Sequence, residues 1–290
     1  GAVGGPPQGG GPPAGGPPPR TPAQKALDAA FEAAFPLLYA LEPEGMLDSS
    51  KNLRVLWVRA LLAAAGQLDD GVARQLLPAA SRWVVSAPLA NTLWRPVLPK
   101  LSWVKQRTEF IDGILDDFLA VNPKGAQVVL LGSGYDTRAL RYRDSGAAFY
   151  EVDLPDVIDV KRKMSSRYLD SFGEACPEGR ALGADLNQAQ GKVFDQVKEL
   201  GLDSERPTLI VFEAVLFYLS PPAKASLLQA VAAQPNAQVV LADNLAPFVR
   251  GPARAAAEAY LEPLGLHMRA HDTLWGGAIQ FVHAAREASD

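Results

Sequence analysis

QVVLLGSGYDTRALRYRDSGAAFYEVDLP, Gln127 to Pro155, reads as strand, glycine turn, helix, strand and acidic tip. Gln127–Leu131 is a short apolar run with two valines, flanked by Gly125 and Gly132. That is the pattern of a parallel strand buried on both faces. Gly132 and Gly134 follow at once, and residues without a Cβ allow a tight turn and a close approach of backbone to ligand. Asp136 and Thr137 suit the cap of a helix running through Leu140. Ala148–Val152 is a second strand, and it ends on Asp153. An acidic side chain there, about 20 residues past the glycines, is placed to grip a ribose diol.

The turn has only two glycines of a dinucleotide fingerprint, because Thr137 occupies the third position. The third glycine serves close helix–strand packing, with the pyrophosphate on the helix N-terminus. A ligand with adenosine but no pyrophosphate needs it less, and S-adenosylmethionine is such a ligand. The spacing alone also admits an ordinary strand–turn–helix with no ligand.

From Ala126 onward, strands alternate with helices. Helix 156–169 is followed by strand 181–184, helix 191–200, strand Thr208–Glu213, helix 221–233, strand 238–244 and helix Ala253–Leu261. Segments 266–272 and 278–284 close the series as an antiparallel pair. This alternation predicts a mostly parallel, seven-stranded sheet with helices on both faces. Ligands of such sheets bind outside the carboxyl ends of the strands. Gly132/Gly134, Asp153, Asp185 and Glu213 each follow or end a strand, so four tips converge on one crevice.

The chain has 290 residues, 48% apolar and 21% charged, with net charge -4. That suits one sizeable core in a soluble protein. No apolar run approaches the roughly 20 residues of a membrane helix, and no basic block suggests a nucleic-acid partner. The single cysteine, Cys176, excludes an internal disulfide. The three histidines make no metal spacing, and no Ser–His–Asp or Walker-type pattern is present. A cytoplasmic location is expected. The first residue is glycine rather than methionine, as in a fragment or a processed product, and no signal peptide is visible.

Residues 1–20 are almost pure Gly, Pro and Ala, a tail expected to be disordered. Residues 21–121 read as a helical cap. Thr21-Pro22 is a helix start, and Ala23–Ala34 is alanine-rich. Ser50–Ala65 carries Leu53, Leu56, Trp57, Ala60, Leu61 and Ala64 at helical spacing. Asp69–Leu77 is a further helix, Ser81–Pro99 a winding connection, and Leu101–Ala120 a long helix leading into the first strand. Residues 122–290 form the ligand-binding domain.

The motifs GSGYDTR (Gly132–Arg138), EVDLP (Glu151–Pro155), ADL (Ala184–Leu186) and FEAVLFYL (Phe212–Leu219) resemble, in order and spacing, the leucine carboxyl methyltransferase family. Gln106-Arg107-Thr108, followed by Asp112, resembles that family's Arg-Thr signature. The resemblance covers roughly Leu47 to Ala284, and is nearest in motif to the polyketide O-methyltransferase branch. It implies a Rossmann-like class I methyltransferase fold with S-adenosyl-L-methionine as cofactor. It further implies that Arg107 pairs with the cofactor's carboxylate, and that Gly132 approaches its methionine part or ribose, with Gly134 in the same turn. Asp153 would bind the ribose, Asp185 and Leu186 would flank the adenine, and Glu213 would bound the methionine end.

Each role has a plainer counterpart: a solvated Arg107, an Asp153 that caps the helix begun by Pro155, an Asx turn at Asp185, a core carboxylate at Glu213. The expected function is methylation of a carboxylate or hydroxyl oxygen of a small molecule. A protein C-terminal leucine carboxyl methyltransferase and a catalytically silent binding module remain alternatives. A nicotinamide-dependent oxidoreductase is disfavoured by Thr137. A carboxylate acceptor is already ionised at neutral pH. A hydroxyl would need a base, for which Tyr218 and Asp243 are the candidates. No metal is expected.

Overall fold

The computed structural model describes residues 50–87, 98–173, 180–189, 191–245 and 253–286, with single positions 22, 25 and 95. The expected tail, Thr21, Cys176 and all of the Ala23–Ala34 segment except Lys25 lie outside the described residues.

The strands are β1 (Gln127–Leu131), β2 (Ala148–Asp153), β3 (Ala181–Gly183), β4 (Thr208–Glu213), β5 (Ala237–Asp243), β6 (His267–Leu274) and β7 (Ile279–Ala285). They form one sheet in the order β3-β2-β1-β4-β5-β7-β6. The first five pair in parallel, and β7 is antiparallel to both β5 and β6. The expected sheet is therefore present, with its closing pair at one edge. The strand order reverses between β1 and β4, which is the switch point where such sheets open a crevice. Register sets the tips level: Leu131 lies beside Val152 on one side and Phe212 on the other. Gly132, Asp153 and Glu213 thus arrive side by side.

Side chains alternate between the faces of a strand, and here both sets are apolar. Val129, Leu131, Ile210, Phe212, Val239 and Leu241 pack in one cluster with α8 (Val193–Glu199), α9 (Pro221–Ala232) and α10 (Ala253–Leu261). Val128, Leu130, Leu209, Val211 and Val240 pack in another with Ile111, Leu115 and Phe118 of α4 (Ser102–Val121). That two-sided burial is why β1 reads as a continuous apolar run.

Ahead of α4 lie α1 (Ser50–Ala64), α2 (Gly71–Leu76) and α3 (Ala79–Ser86). The stripe Leu53, Leu56, Trp57, Ala60 and Leu61 of α1 is buried with Val72, Ala73 and Leu76 of α2. The same cluster takes Val157 and Met164 of α6 (Pro155–Asp170) and Tyr135 of the glycine turn. Burying Leu53 or Leu56 contributes about 1.5–3 kcal/mol each relative to exposure. The apolar stripe thus ties the N-terminal helices to the turn that opens the crevice.

Some expectations need correcting. The segment Ser81–Ser86 is helical, within α3, rather than part of a winding connection. The helix expected through Leu140 is present, as the single turn α5 (Arg138–Arg141) followed by a 3-10 turn. Of the two expected caps, Asp136 Oδ1 accepts from the Arg138 N–H at 2.7 Å, whereas Thr137 makes no cap hydrogen bond because its hydroxyl is engaged elsewhere. Segment 191–200 gives α8 only from Val193, preceded by the separate turn α7 (Leu186–Ala189). The third strand stops at Gly183, and the fifth runs one residue earlier than expected.

Candidate functional site

The crevice at the strand tips holds two adjoining cavities. One, of about 380 Å³, is lined by Gly132, Asp153, Asp185 and Leu186 among others. The second, of about 290 Å³, is lined by Arg107, Gly134, Asp136 and Glu213. Asn52, Ala214 and Tyr218 line both and mark the junction. All seven expected cofactor residues therefore line one or the other of these two adjoining cavities.

Both glycines are required by backbone conformation and by space. Gly132 has φ +68°, and a Cβ there would lie 2.3 Å from Val215 Cγ2. Gly134 has φ +43°, and a Cβ would meet Asn52 Oδ1 of α1 at 3.0 Å. Asp153 reaches back under this turn. Its Oδ2 accepts from the Gly134 N–H at 2.6 Å and its Oδ1 from the Leu154 N–H at 2.7 Å. It therefore fixes the turn while lining the cavity. Burial raises the Asp153 pKa, against the opposing pull of those two N–H groups. Asp185 Oδ1 accepts from the Asn187 N–H at 2.9 Å, which is the Asx turn weighed above, and the side chain still lines the cavity. Leu186 is buried beside it.

Arg107 comes from α4 and donates from Nε to Glu213 Oε1 at 2.9 Å, with its guanidinium 4.7 Å from the Trp103 ring centroid. It is 5% exposed, so it is not a solvated helix residue. Arg138 donates to Glu213 Oε2 at 2.6 Å and to Asp112 Oδ1 at 2.6 Å, and it pairs with Asp136 as well. Arg59 of α1 donates from Nε to Asp70 at 2.7 Å and from its other end to Thr137 Oγ1 at 3.0 Å. Its Nη1 stands 3.9 Å from Glu213 and 4.0 Å from Asp136. Thr137 in turn donates to Asp70 Oδ2 at 2.9 Å.

Burial alone would raise the Asp136 and Glu213 pKa values, but the arginines outweigh it. Arg138 and Arg59 hold Asp136 well below the carboxylate range, and Arg138 and Arg107 hold Glu213 down. Both are ionised, and both are weak bases. Burial lowers the Arg107 pKa against the pull of Glu213.

Sequence reasoning missed Arg59, Asp70 and Arg138 as parts of the site. A charge inside the apolar run Leu56-Trp57-Val58-Arg59-Ala60 was the available signal, because such residues are seldom fully buried unless paired.

The two candidate bases fare differently. Tyr218 lines both cavities, but burial raises its pKa, with Arg107 pulling the other way. At neutral pH it carries its proton. Asp243 is fully buried and lines neither cavity. Its carboxylate accepts from the N–H groups of Val215, Leu216 and Asn244 at 2.6–2.7 Å. It holds the loop after β4, where Ala214 sits at φ +57°. That left-handed geometry costs a non-glycine residue about 1–2 kcal/mol. Burial raises the Asp243 pKa against the pull of those N–H groups, but the side chain reaches neither cavity. Among the described residues no group of three or more His, Cys, Asp and Glu is placed to hold a metal. Nor is any helix long and apolar enough to cross a membrane.

A model of the leucine carboxyl methyltransferase family matches residues 52–232. The chain is 32% identical over 226 residues to tRNA wybutosine-synthesizing protein 4 of Rattus norvegicus, covering 70% of this chain and 31% of that protein. The Homo sapiens protein of the same name is 33% identical over 225 residues, with 70% and 31% covered. A Mycobacterium ulcerans protein named "Putative S-adenosyl-L-methionine-dependent methyltransferase" is 37% identical over 162 residues, covering 55% of this chain and 46% of that one. The chain thus spans less than half the length of these relatives.

Proposed function

This chain belongs to the leucine carboxyl methyltransferase family, and from that premise we propose that it methylates a carboxylate oxygen of a small-molecule acceptor, with S-adenosyl-L-methionine as donor. The residues fit that cofactor. A cavity bearing Asp153 and Asp185 suits a nucleoside, and the adjoining cavity bearing Arg107 suits an amino-acid tail with a carboxylate. When bound, the cofactor supplies an electrophilic methyl group on sulfur.

The observation that carries the choice of acceptor is the protonation state of the lining. Asp136 and Glu213 are held ionised by arginines, so neither takes a proton readily at neutral pH. Tyr218 keeps its proton, so it is not present as a phenolate base. Asp243 is committed to three backbone N–H groups. Among the described residues the lining of the 290 Å³ cavity, where the donor's methyl end would sit, therefore offers no general base. A hydroxyl acceptor needs one, whereas a carboxylate arrives ionised.

The chain's own part is then positioning, which can be worth roughly 7–11 kcal/mol when reactants are well aligned. Arg107 orients the tail of the donor. The Glu213–Arg138–Asp136 group locks Arg107 and the turn, so these groups need no rearrangement at the moment of reaction. Asn52 and Tyr218 stand where the two cavities meet, beside the place the reacting atoms must occupy.

The test is methyl transfer from radiolabelled donor to a panel of acids and alcohols. Methyl esters release volatile methanol in alkali, and methyl ethers do not. Alkali-labile label on acids supports the reading, and alkali-stable label overturns it. A peptide ending in leucine belongs in the panel, because a protein C-terminus offers the same carboxylate chemistry. Total tRNA belongs there too, and label on tRNA would overturn the small-molecule acceptor.

A further inference from the structure

Trp103, Phe217, Tyr218 and Trp275 line the 290 Å³ cavity, together with the aliphatic residues Leu274 and Ile279. The aromatic rings come in two pairs on different elements. Trp103 of α4 lies 5.9 Å from Trp275, centroid to centroid, where the latter begins the β6–β7 connection. Phe217 and Tyr218, between β4 and α9, lie 4.1 Å apart. Trp275, Phe217 and Tyr218 are 40%, 45% and 51% exposed. They are not core residues that happen to touch a void, and their grouping at one opening marks a ligand site.

The backbone supports this. Among the described residues, Ala214 and Trp275 are the two non-glycine positions with positive φ, at +57° and +51°. Both line this cavity. Left-handed geometry in a bulky residue is a marked outlier, and such outliers cluster at ligand clamps. Here it carries the Trp275 ring to the rim, with Gly276 and Gly277 following at φ +67° and +95°.

The polar lining does not serve the body of the acceptor. Arg59 and Arg107 are engaged with acidic partners, and Asp136 and Glu213 with arginines. Apart from Asn52, Ser133 and the part of Arg107 assigned to the donor tail, the rest of the lining is mainly aromatic and aliphatic. Flat rings pack on such faces in offset or edge-on geometry, at centroid separations of about 4.5–7 Å. A space of 290 Å³, shared with the donor's tail, has room for one or two fused rings.

We propose that the Trp103–Trp275 and Phe217–Tyr218 pairs form an aromatic clamp that selects an acceptor with a flat, apolar body, namely an aromatic carboxylic acid. The identity of the acid group rests on the carboxyl-methylation reading above; the clamp itself rests on the rings.

The test is equilibrium binding to the full chain saturated with S-adenosylhomocysteine, read by quenching of tryptophan fluorescence and by calorimetry. The probes are 2-naphthoate and octanoate. Naphthoate should bind, and octanoate should bind at least about tenfold more weakly. Phe217→Ala and Trp275→Ala should each weaken naphthoate about tenfold while changing S-adenosylhomocysteine affinity less than twofold. Phe217→Tyr should restore binding, since it keeps a ring. Equal binding of the two probes, or naphthoate affinity unchanged in both alanine variants, overturns the clamp. If naphthoate binds through these rings but no aromatic acid becomes a methyl ester, the clamp stands and carboxyl methylation falls.

Discussion

Replacing Arg107 with lysine separates its role toward the cofactor from its role in the fold. The variant keeps a positive charge but loses three geometric features. The Nε–H to Glu213 at 2.9 Å has no counterpart, and the planar face 4.7 Å from Trp103 is lost. The two parallel donors that match a carboxylate also go. The fold should tolerate the first loss, because Glu213 keeps Arg138 at 2.6 Å and Arg59 at 3.9 Å. Loss of the ring contact removes about 0.5–2 kcal/mol, a drop of about 1–3 °C in Tm at this chain length. A charge-assisted hydrogen bond to the ligand carboxylate contributes about 1.5–3 kcal/mol. Binding of S-adenosylmethionine should therefore weaken by about 10- to 150-fold. Burial adds to this, because it opposes the charged form of a lysine more effectively than that of an arginine.

Adenosine has no carboxylate and is the internal control. Calorimetry on wild type and Arg107→Lys with both ligands gives four Kd values. The expected pattern is a large loss for S-adenosylmethionine and almost none for adenosine. Equal loss for both means that Arg107 acts through the fold. No loss for either means that the carboxylate lies elsewhere in the crevice, and the orientation of the donor assumed above is reversed.

Asp153→Ala should weaken S-adenosylmethionine by about 1.5–3 kcal/mol in calorimetry. It should also lower stability, because the Gly134 N–H loses its acceptor; wild-type affinity in a folded variant would remove Asp153 from the site. Asp70→Asn leaves the buried Arg59 without its 2.7 Å charged partner and should cost about 3–5 kcal/mol in urea unfolding; a change below about 1 kcal/mol would show that Asp136 and Glu213 suffice to balance Arg59. His283 is held neutral, its pKa pushed down to about 4 mainly by burial, with Arg269 adding to the effect. Its folded value is below the unfolded 6.5, so the stability it contributes is complete above pH 6.5 and is lost as pH falls toward 4. His283→Gln should therefore flatten the decline of Tm between pH 6.5 and pH 4.5, and an unchanged decline would assign it to other groups.

The sheet was legible because its signals are local. Alternating side chains on β1 are apolar on both faces, glycines follow, and an acid ends β2. Each of these is a statement about neighbours in sequence. Register then brought Gly132, Asp153 and Glu213 level without any further information. What was not legible was the pairing of charges across long separations. Arg59 meets Thr137 across 78 residues, and Arg107 meets Glu213 across 106. Periodicity says which face a residue occupies, but not which opposite charge waits there. The Thr137 hydroxyl belongs to the same class: expected to share the cap of α5, it donates to Asp70 instead, and Asp136 alone accepts from the Arg138 N–H.

Thr137 joins the two halves of the argument. Its presence at the third glycine position was the reason to prefer a nucleoside ligand without pyrophosphate. The structure shows what a glycine there would forfeit. Thr137 Oγ1 donates to Asp70, the N-cap of α2, and accepts from Arg59 of α1 and from Arg141 of α5. A hydroxyl at this point therefore fastens the N-terminal helices to the turn. Those helices supply Arg59 and Asn52 to the cavity walls. A glycine would allow closer helix–strand packing but would release that anchor. The residue that argues against a dinucleotide in the sequence is, in the fold, the one that holds the wall of the methionine-side cavity in place.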